Sequence, residues 1–597
     1  MKKIALRPAL FGVSALVATT LATLFFAVPA AVAATESSDG ASEARDAEPV
    51  PAPGEYAVLI SEKTAARDDW RAAAEKFVGR YAGTLVIWRG NDISSAREAL
   101  KKLRPRYVAV VAAPEEIDRV FVAKLHRLSR EMNDDVYGDF LWGIVSGADG
   151  DVAASQLAPA EPLVLERAIG TTNFERARFK RAFFITDWAA RQFVETRDYE
   201  SSPKTSAEPS VAMEELFAER WAEIRPQFVI TSSHATEFNL EMPFGEGLIA
   251  SAGTDFFLVE KNRMREFAKV LPDEASRQNF LRDGGFKTLP RSGNPKIWLA
   301  AGNCLFGDTL RTPNSMAQTA ISAAGVKQLV GYTVPSWFGE IGWKTNEIFF
   351  GGHQATSFAQ AWFFANQTLL DALPRKLSAI EIPLVATGME GLDAAALLPL
   401  LAAQKNAGKP LSRENFGRLY DRDTVAFYGD PLFRVRFDEA APNRAPWRCT
   451  VSETAAGTQI FSISSTSGNA QKGDFCLWFP KRFDTQKKFS AKRIFPKRTL
   501  EDLTKNTPRR ARPKAPKPSI LTGNFVVFRA LDLSAGETLE LRVPVEKRAG
   551  AAEKSGVLAS GDGDEIPDVH DENSGEPASG VPDEIPGEPA SGVPDEA

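Results

Sequence analysis

The feature that most constrains the fold is an alternation of uninterrupted apolar strands with amphipathic helical segments between residues 56 and 145. The predicted strands are Tyr56–Ile60, Thr84–Trp88, Tyr107–Val111 and Phe140–Val145, and none of them contains a charged residue. Strands without polar alternation are typical of sheets that are buried on both faces, and such sheets are built from parallel strands with covering helices. The sequence therefore predicts an α/β fold.

The same alternation continues with longer insertions up to about residue 437. The predicted strands here are Ala182–Thr186, Phe228–Ser232, Ile297–Ala301 and Gln328–Thr333, and the predicted helices are Met213–Ile224, Ser315–Ala324, Phe358–Leu373 and Ala394–Gln404. We expect two α/β subdomains, 55–150 and 151–437, with the larger one carrying the insertions.

Residues 445–547 have a different sequence pattern, because short segments of alternating polarity such as Gln459–Ser464 and Thr538–Val543 replace the apolar runs. This pattern predicts a small immunoglobulin-like β-sandwich. Within it, Lys481–Lys517 holds fourteen Lys/Arg against three Asp/Glu and is interpreted as a solvated loop rather than a nucleic-acid site. Residues 548–597 form an acidic tail with a ten-residue repeat, and its composition predicts disorder.

The first 33 residues have the pattern of a secretory signal peptide. Three basic residues precede an apolar run from Ala9 to Val28, and Ala31-Val32-Ala33 provides a small-x-small cleavage site. Residues 34–54 are interpreted as a linker. We expect an exported protein, periplasmic, surface-bound or extracellular, with no membrane span once the signal is cleaved; an uncleaved anchor is the alternative.

In an exported protein, the number and spacing of the three cysteines indicate which of them can form a disulfide. Cys449 and Cys476 lie 27 residues apart in the predicted sandwich, and we expect them to form a disulfide outside the cytoplasm. Cys304 is then the odd cysteine, which is either a reactive thiol or a thiol that is buried by chance.

Cys304 and His234 occupy matching positions in the predicted sheet. Each follows the end of an apolar strand, Ile297–Ala301 and Phe228–Ser232 respectively. In open α/β sheets ligand sites form at the carboxyl ends of the strands, so neighbouring strands would deliver both side chains to one edge. An imidazole can take the proton of a thiol nucleophile and return it to a leaving amine. The backbone N–H groups of Ala235 and Cys304 are candidates for the oxyanion hole.

The remaining histidines are assigned no catalytic role. His126 is predicted to be a surface or boundary residue of an amphipathic helix, His353 is interpreted as structural, and His570 lies in the tail. The sequence contains no Gly-x-Ser-x-Gly elbow, no His-Glu-x-x-His motif, no P-loop and no Gly-x-Gly-x-x-Gly after a strand.

An ordered set of short motifs resembles the gingipain-like cysteine peptidases (peptidase family C25, caspase-like clan CD). The set comprises Asp135–Asp139 before a strand, Ser233-His234 after a strand, Gly302-Asn303-Cys304 after a later strand, Ser315–Ala317 at a helix start with Gly331-Tyr332 on the next strand, and Tyr428–Leu432 near the end of the α/β part. The resemblance covers residues 55–437, and that family also carries an immunoglobulin-like domain after its catalytic domain. It implies a caspase-like parallel-sheet sandwich.

The resemblance further implies an endopeptidase that forms a thioester at Cys304, with His234 as general acid and base and a protein or peptide as substrate. Trp337 and Trp343 are then candidate walls of the substrate pocket, with core packing as the other reading, and Glu340 is a candidate specificity charge. No cofactor is implied, although calcium fits the family as a structural ion. Ala235 departs from the glycine that this family commonly has there. That departure motivates the alternative, an inactive surface or binding protein that keeps the fold.

Overall fold

The computed structural model describes residues 51–90, 92–336, 338–352, 356–378, 411–442, 445–496, 513–547 and 558–559. The predicted signal peptide, most of the linker, the predicted helix at 394–404 and the acidic tail apart from residues 558 and 559 lie outside the described residues. Within the described ranges, no helix is both long and apolar enough to cross a membrane.

The α/β part contains nineteen of the described strands. They are β1 Tyr56–Ser61, β2 Thr84–Trp88, β3 Tyr107–Val111, β4 Leu141–Val145, β5 Leu163–Leu165, β6 Arg167–Gly170, β7 Arg181–Ile185, β8 Gln192–Arg197, β9 Glu200–Ser201, β10 Thr205–Ser206, β11 Phe228–Thr231, β12 Ala235–Thr236, β13 Asn239–Glu241, β14 Leu248–Ala252, β15 Asp255–Val259, β16 Lys296–Ala300, β17 Val326–Tyr332, β18 Val425–Tyr428 and β19 Val435–Phe437.

The helices of the described chain are mostly short. They are α1 Glu62–Ala65, α2 Asp68–Tyr81, α3 Arg97–Leu103, α4 Arg119–Ser129, α5 Gly150–Ala154, α6 Met213–Ile224, α7 Met264–Val270, α8 Glu274–Asp283, α9 Met316–Ala323, α10 Glu340–Gly351, α11 Phe358–Ala372, α12 Arg375–Ser378 and α13 Arg413–Asp421. Side-chain caps fix several starts: Asp118 accepts the Phe121 N–H at α4, and Ser357 and Gln360 form a capping box at α11.

One 14-stranded sheet organises the α/β part, in the order β10-β8-β7-β6-β11-β16-β17-β18-β4-β3-β1-β2, with residues 558–559 (β27) beside β2 and β9 beside β8. It crosses the boundary predicted at residue 150 without interruption. Strands β1 to β4 are parallel to one another, as are β6, β7, β11, β16 and β17. The α/β prediction is confirmed.

The two parallel halves run in opposite directions. Strand β18 is antiparallel to β17 but parallel to β4, so the direction reverses at one strand pair near the middle of the sheet. The carboxyl ends of β11 and β16 therefore lie at the edge opposite to the carboxyl ends of β1, β3 and β4. Side chains that follow strands in the two halves cannot converge on one site.

A smaller antiparallel sheet, β12-β13-β14-β15, occupies residues 235–259 directly after β11. It packs with α7 and α8 around a separate apolar cluster that includes Leu248, Phe257, Phe267 and Leu281. This four-stranded sheet and its two helices fill most of the segment that separates His234 from Cys304 along the chain.

The described residues between 445 and 547 form two antiparallel sheets that enclose their own apolar cluster. One sheet has the order β20-β21-β26-β23 and the other β22-β25-β24. The strands are β20 Trp447–Glu453, β21 Thr458–Ser465, β22 Gln471–Trp478, β23 Ser490–Ile494, β24 Ile520–Leu521, β25 Phe525–Leu533 and β26 Thr538–Pro544. We refer to this unit as the β-sandwich.

The predicted disulfide is wrong in this structure, because Cys449 and Cys476 are both free thiols. Cys449 lies on β20 and contacts the apolar cluster inside the β-sandwich, whereas Cys476 lies on β22 of the other sheet and packs into the core that the β-sandwich shares with the α/β part. The two side chains belong to different cores. Spacing along the chain could not reveal this, since it does not show which face of a strand is buried against which layer.

Candidate active site

Cys304 and His234 follow adjacent parallel strands at one edge of the sheet. Strand β11 pairs with β16 in a register that sets Thr231 opposite Ala300. His234 lies three residues beyond Thr231, and Cys304 lies four residues beyond Ala300. Both residues are therefore carried to the same carboxyl edge, as the sequence predicts.

The two chain segments remain side by side beyond the strands. The Ala301 N–H donates to the Thr231 carbonyl at 2.9 Å, which continues the sheet by one residue. Two residues further on, the Asn303 side-chain amide donates to the Ser233 carbonyl at 2.9 Å. The residues that immediately precede Cys304 and His234 are thus joined by a hydrogen bond, and the next residues in the two segments are the thiol and the imidazole.

Gly302 allows the segments to approach closely. A Cβ atom at this position would lie 2.2 Å from the Ser232 Oγ and 3.7 Å from the ring of Trp343. No side chain fits there without moving Ser232. Gly302, two residues before Cys304, is therefore favoured by the packing against Ser232.

The Cys304 sulfur is held by the loop that follows β17. The Ser336 N–H points at the sulfur at 3.4 Å, the Ser336 Oγ lies 3.7 Å from it, and the same hydroxyl donates to the Gly302 carbonyl at 2.6 Å. A backbone N–H directed at sulfur stabilises a thiolate more than a thiol. Leu305, the next residue, is buried and has φ +60°, a strained backbone of the kind that occurs at functional sites.

Groups beneath the Cys304 loop hold it in place. The Tyr428 hydroxyl donates to the Gly307 carbonyl at 2.7 Å, and the Gly307 N–H donates to the Tyr332 carbonyl at 2.8 Å. Asp308 is almost fully buried, and burial raises the pKa of its carboxyl to about 7. The loop is therefore hydrogen-bonded to the sheet through both the N–H and the carbonyl of Gly307.

His234 lies at the start of the hairpin formed by β12 and β13. Its side chain is exposed, and its carbonyl accepts the Glu241 N–H at 2.9 Å. Burial raises the pKa of the Glu241 carboxyl, and the charge of His234 opposes that rise. The sequence gives no indication of this carboxylate, because only the hairpin turn brings it opposite His234.

Two backbone N–H groups that follow these strands, those of Ala235 and Cys304, have no hydrogen-bond acceptor among the described residues. In an antiparallel pair of strands, opposed residues alternate between hydrogen-bonded and non-hydrogen-bonded pairs. His234 and Glu241 are a hydrogen-bonded pair, so the next pair, Ala235 and Leu240, is a non-hydrogen-bonded one. The Ala235 N–H therefore points away from the hairpin. Among the described residues, no acceptor is found for the Cys304 N–H either.

The predicted pocket residues have different surroundings. Trp343 is 39% exposed on α10, and its ring lies 3.7 Å from the position that a Cβ atom would take at Gly302, on the segment that leads to Cys304. Glu340 pairs with Arg418 at 3.1 Å, which neutralises its charge. Trp337 lies outside the described residues. The roles of all three in substrate binding stay predictions.

The described residues contain no group of three or more His, Cys, Asp or Glu side chains arranged to hold a metal ion. Calcium as a structural ion, which the resemblance allows, stays an expectation.

The chain matches no protein-family model and no curated protein. Among solved structures it is similar to one described as "Structure of Protease", with 9% sequence identity, 71% of this chain and 87% of that chain covered, and a TM-score of 0.28. A TM-score at that level does not establish a shared fold.

Proposed function

We propose that this protein is a cysteine endopeptidase of the gingipain-like, caspase-like type, with Cys304 as nucleophile and His234 as general acid and base. The observation that carries the proposal is the hydrogen bond between Asn303 and the Ser233 carbonyl, which joins the two segments one residue before the thiol and the imidazole. The order of histidine before cysteine on adjacent parallel strands is the one that the family resemblance implies.

The chemistry requires only groups that the site provides. The thiol proton of Cys304 passes to His234, and the thiolate attacks the carbonyl carbon of the scissile peptide bond. The carbonyl oxygen becomes negative and accepts the N–H groups of Ala235 and Cys304, an interaction worth about 3–4 kcal/mol per donor in well-studied enzymes. The C–N bond then breaks, the imidazolium gives its proton to the leaving amine, and a thioester remains.

Water completes the cycle. His234 removes a proton from a water molecule as its oxygen attacks the thioester carbon. The C–S bond breaks, the carboxylic acid product leaves, and the sulfur recovers a proton from the imidazolium. We further propose that the substrate is an extracytoplasmic protein or peptide, because the first 33 residues have the pattern of an export signal.

The test compares hydrolysis of a quenched fluorescent peptide library by the wild type, Cys304→Ala and His234→Ala. We expect both variants to lose at least about 10³-fold in kcat/KM. The matched control is Cys449→Ala, which removes a thiol from the β-sandwich and is expected to keep full activity. Cys304→Ala removes little volume, so its unfolding midpoint should equal that of the wild type.

Alkylation by iodoacetamide tests the site without a known substrate. Burial raises the pKa of Cys449 and of Cys476 to about 12, so both should react slowly in the folded protein. Mass spectrometry should find Cys304 labelled first and more slowly in His234→Ala. Peptide hydrolysis that persists in Cys304→Ala, or a Cys304 that reacts no faster than the two buried thiols, would favour the alternative of an inactive binding protein.

A further inference from the structure

The hairpin that carries His234 sets one acidic residue directly opposite it. Ala235 pairs with Leu240 and Thr236 with Asn239, so the next opposed pair is His234 and Glu241. The hydrogen bond from the Glu241 N–H to the His234 carbonyl, at 2.9 Å, fixes this register. Directly opposed residues of an antiparallel pair project to the same face, with Cβ atoms about 4.5–5.5 Å apart.

A second contact holds the same register from the other side. The Ser233 hydroxyl donates to the Glu241 carbonyl at 2.5 Å, so the Glu241 backbone is bonded to Ser233 through its carbonyl and to His234 through its N–H. The hairpin is also short, because only Glu237 and Phe238 separate its two strands. A one-residue slip would therefore break contacts on both sides of Glu241.

The Glu241 carboxylate forms no ion pair with a Lys, Arg or His side chain among the described residues, and the charge that opposes the rise of its pKa is that of His234. By contrast, Glu246, in the connection between β13 and β14, pairs with Arg191 and Lys261. The side chain is partly buried, and the charge of His234 acts on it. A partly buried carboxylate without a cation is costly unless it serves a neighbouring donor.

We propose that Glu241 is a positioning residue whose carboxylate accepts a hydrogen bond from one ring nitrogen of His234 and so turns the other ring nitrogen toward Cys304. This inference rests on the proposed peptidase function and deepens it. A carboxylate in this position selects the tautomer and orientation of the imidazole and stabilises the imidazolium that forms during catalysis. Glu241 itself touches neither substrate nor sulfur.

The test uses Glu241→Gln and Glu241→Asp in the full-length protein. Glu241→Gln keeps the size of the side chain but removes its charge, and we expect kcat to fall about 10- to 100-fold with KM within about 2-fold of the wild type. Glu241→Asp keeps the carboxylate and is expected to recover part of the lost kcat. The rate of Cys304 alkylation should follow the same order.

Glu266→Gln is the matched control, because Glu266 is an exposed carboxylate on α7 that pairs with Arg263. It should retain wild-type kcat. Wild-type kcat in Glu241→Gln would overturn the positioning role and leave the dyad intact. The positioning role would also be overturned if kcat fell in Glu241→Gln, Glu241→Asp did not restore it, and the unfolding midpoint was lowered as well. The effect would then be purely structural. Full activity in Cys304→Ala would instead refute the proposed function.

Discussion

At the scale of single residues, the Cys304 loop depends on a contact between two glycine backbones. A Cβ atom at Gly307 would lie 2.3 Å from the Gly331 carbonyl oxygen of β17. A backbone oxygen in the middle of a strand cannot rotate away as a side chain can. Gly307 is therefore fixed by the close approach of loop and sheet, and this contact sets the height of the loop above the sheet edge.

Gly307→Ala should therefore destabilise the protein by about 1–3 kcal/mol, since the added methyl overpacks backbone against backbone. The measurement is urea unfolding followed by tryptophan fluorescence. Gly79→Ala is the control, because a Cβ at that helical position meets nothing within 4 Å. Replacing a glycine inside a helix should stabilise by about 0.5–1 kcal/mol. If the free energy of unfolding changed by the same amount and in the same direction in both variants, the close contact at Gly307 would be contradicted.

The sequence allowed Cys304 and His234 to be selected because both follow apolar strands, and strand ends can be located from composition. It did not indicate Ser336 or Glu241, since each becomes relevant only through a turn or a neighbouring strand. The prediction that His126 is a surface or boundary residue was wrong. That residue is buried against Trp142 and Trp362, and the second of these is more than 200 positions away in the chain.

At the scale of elements, His126 joins α4 to the strand that reverses the sheet. Its Nε2 lies 3.0 Å from the Val425 carbonyl of β18. Burial lowers the pKa of the imidazole to about 4, with Arg130 adding to the decrease and Asp423 opposing it. The neutral ring is therefore the form that packs between helix and strand.

This pKa makes stability depend on pH. The unfolded chain binds a proton at His126 below about pH 6.5, whereas the folded chain does so only below about pH 4. Stability should therefore fall as the pH decreases through that window, by about 2–3 kcal/mol between pH 7 and pH 4.5. His126→Gln still donates to Val425 but does not titrate. The unfolding free energy of His126→Gln should therefore fall by about 2–3 kcal/mol less than that of the wild type between pH 7 and pH 4.5. An equal fall in both proteins would contradict the assignment of this pH dependence to His126.

Elements with a clear apolar pattern, either a continuous run in a strand or one face of a helix, were predicted best. The predicted strands Thr84–Trp88 and Tyr107–Val111 have the observed bounds, as does the helix Met213–Ile224. The sheet β12–β15 was missed, because its first strand has only two residues and gains its stability from pairing rather than from its own sequence. The reversed direction of β18 was also missed, since strand direction depends on the path of the chain and not on the residues of the strand.

At the scale of the whole molecule, the β-sandwich and the α/β part share one apolar core. Trp478 and Phe525 of the β-sandwich stack at 6.1 Å between ring centres, and Phe363 of α11 meets both rings edge-on. The Trp478 indole donates to the Tyr107 hydroxyl on β3 at 2.9 Å. Separate modules joined by a linker would keep such large rings apart, so we expect the two units to unfold together.

Arg106 tests this coupling, because its fully buried guanidinium donates to the Pro480 carbonyl at 2.7 Å and to the Asn524 side chain at 3.2 Å. Arg106→Ala leaves those acceptors buried without a donor and opens a cavity, so we expect a loss of about 3–5 kcal/mol. Arg542→Ala, which removes an exposed arginine paired with Glu540 on the same β-sandwich, should cost less than about 1 kcal/mol. Calorimetry should show one transition that Arg106→Ala moves as a whole. Two transitions, with only the β-sandwich affected, would mean that the shared core does not couple the two units and that the β-sandwich folds independently of the active site.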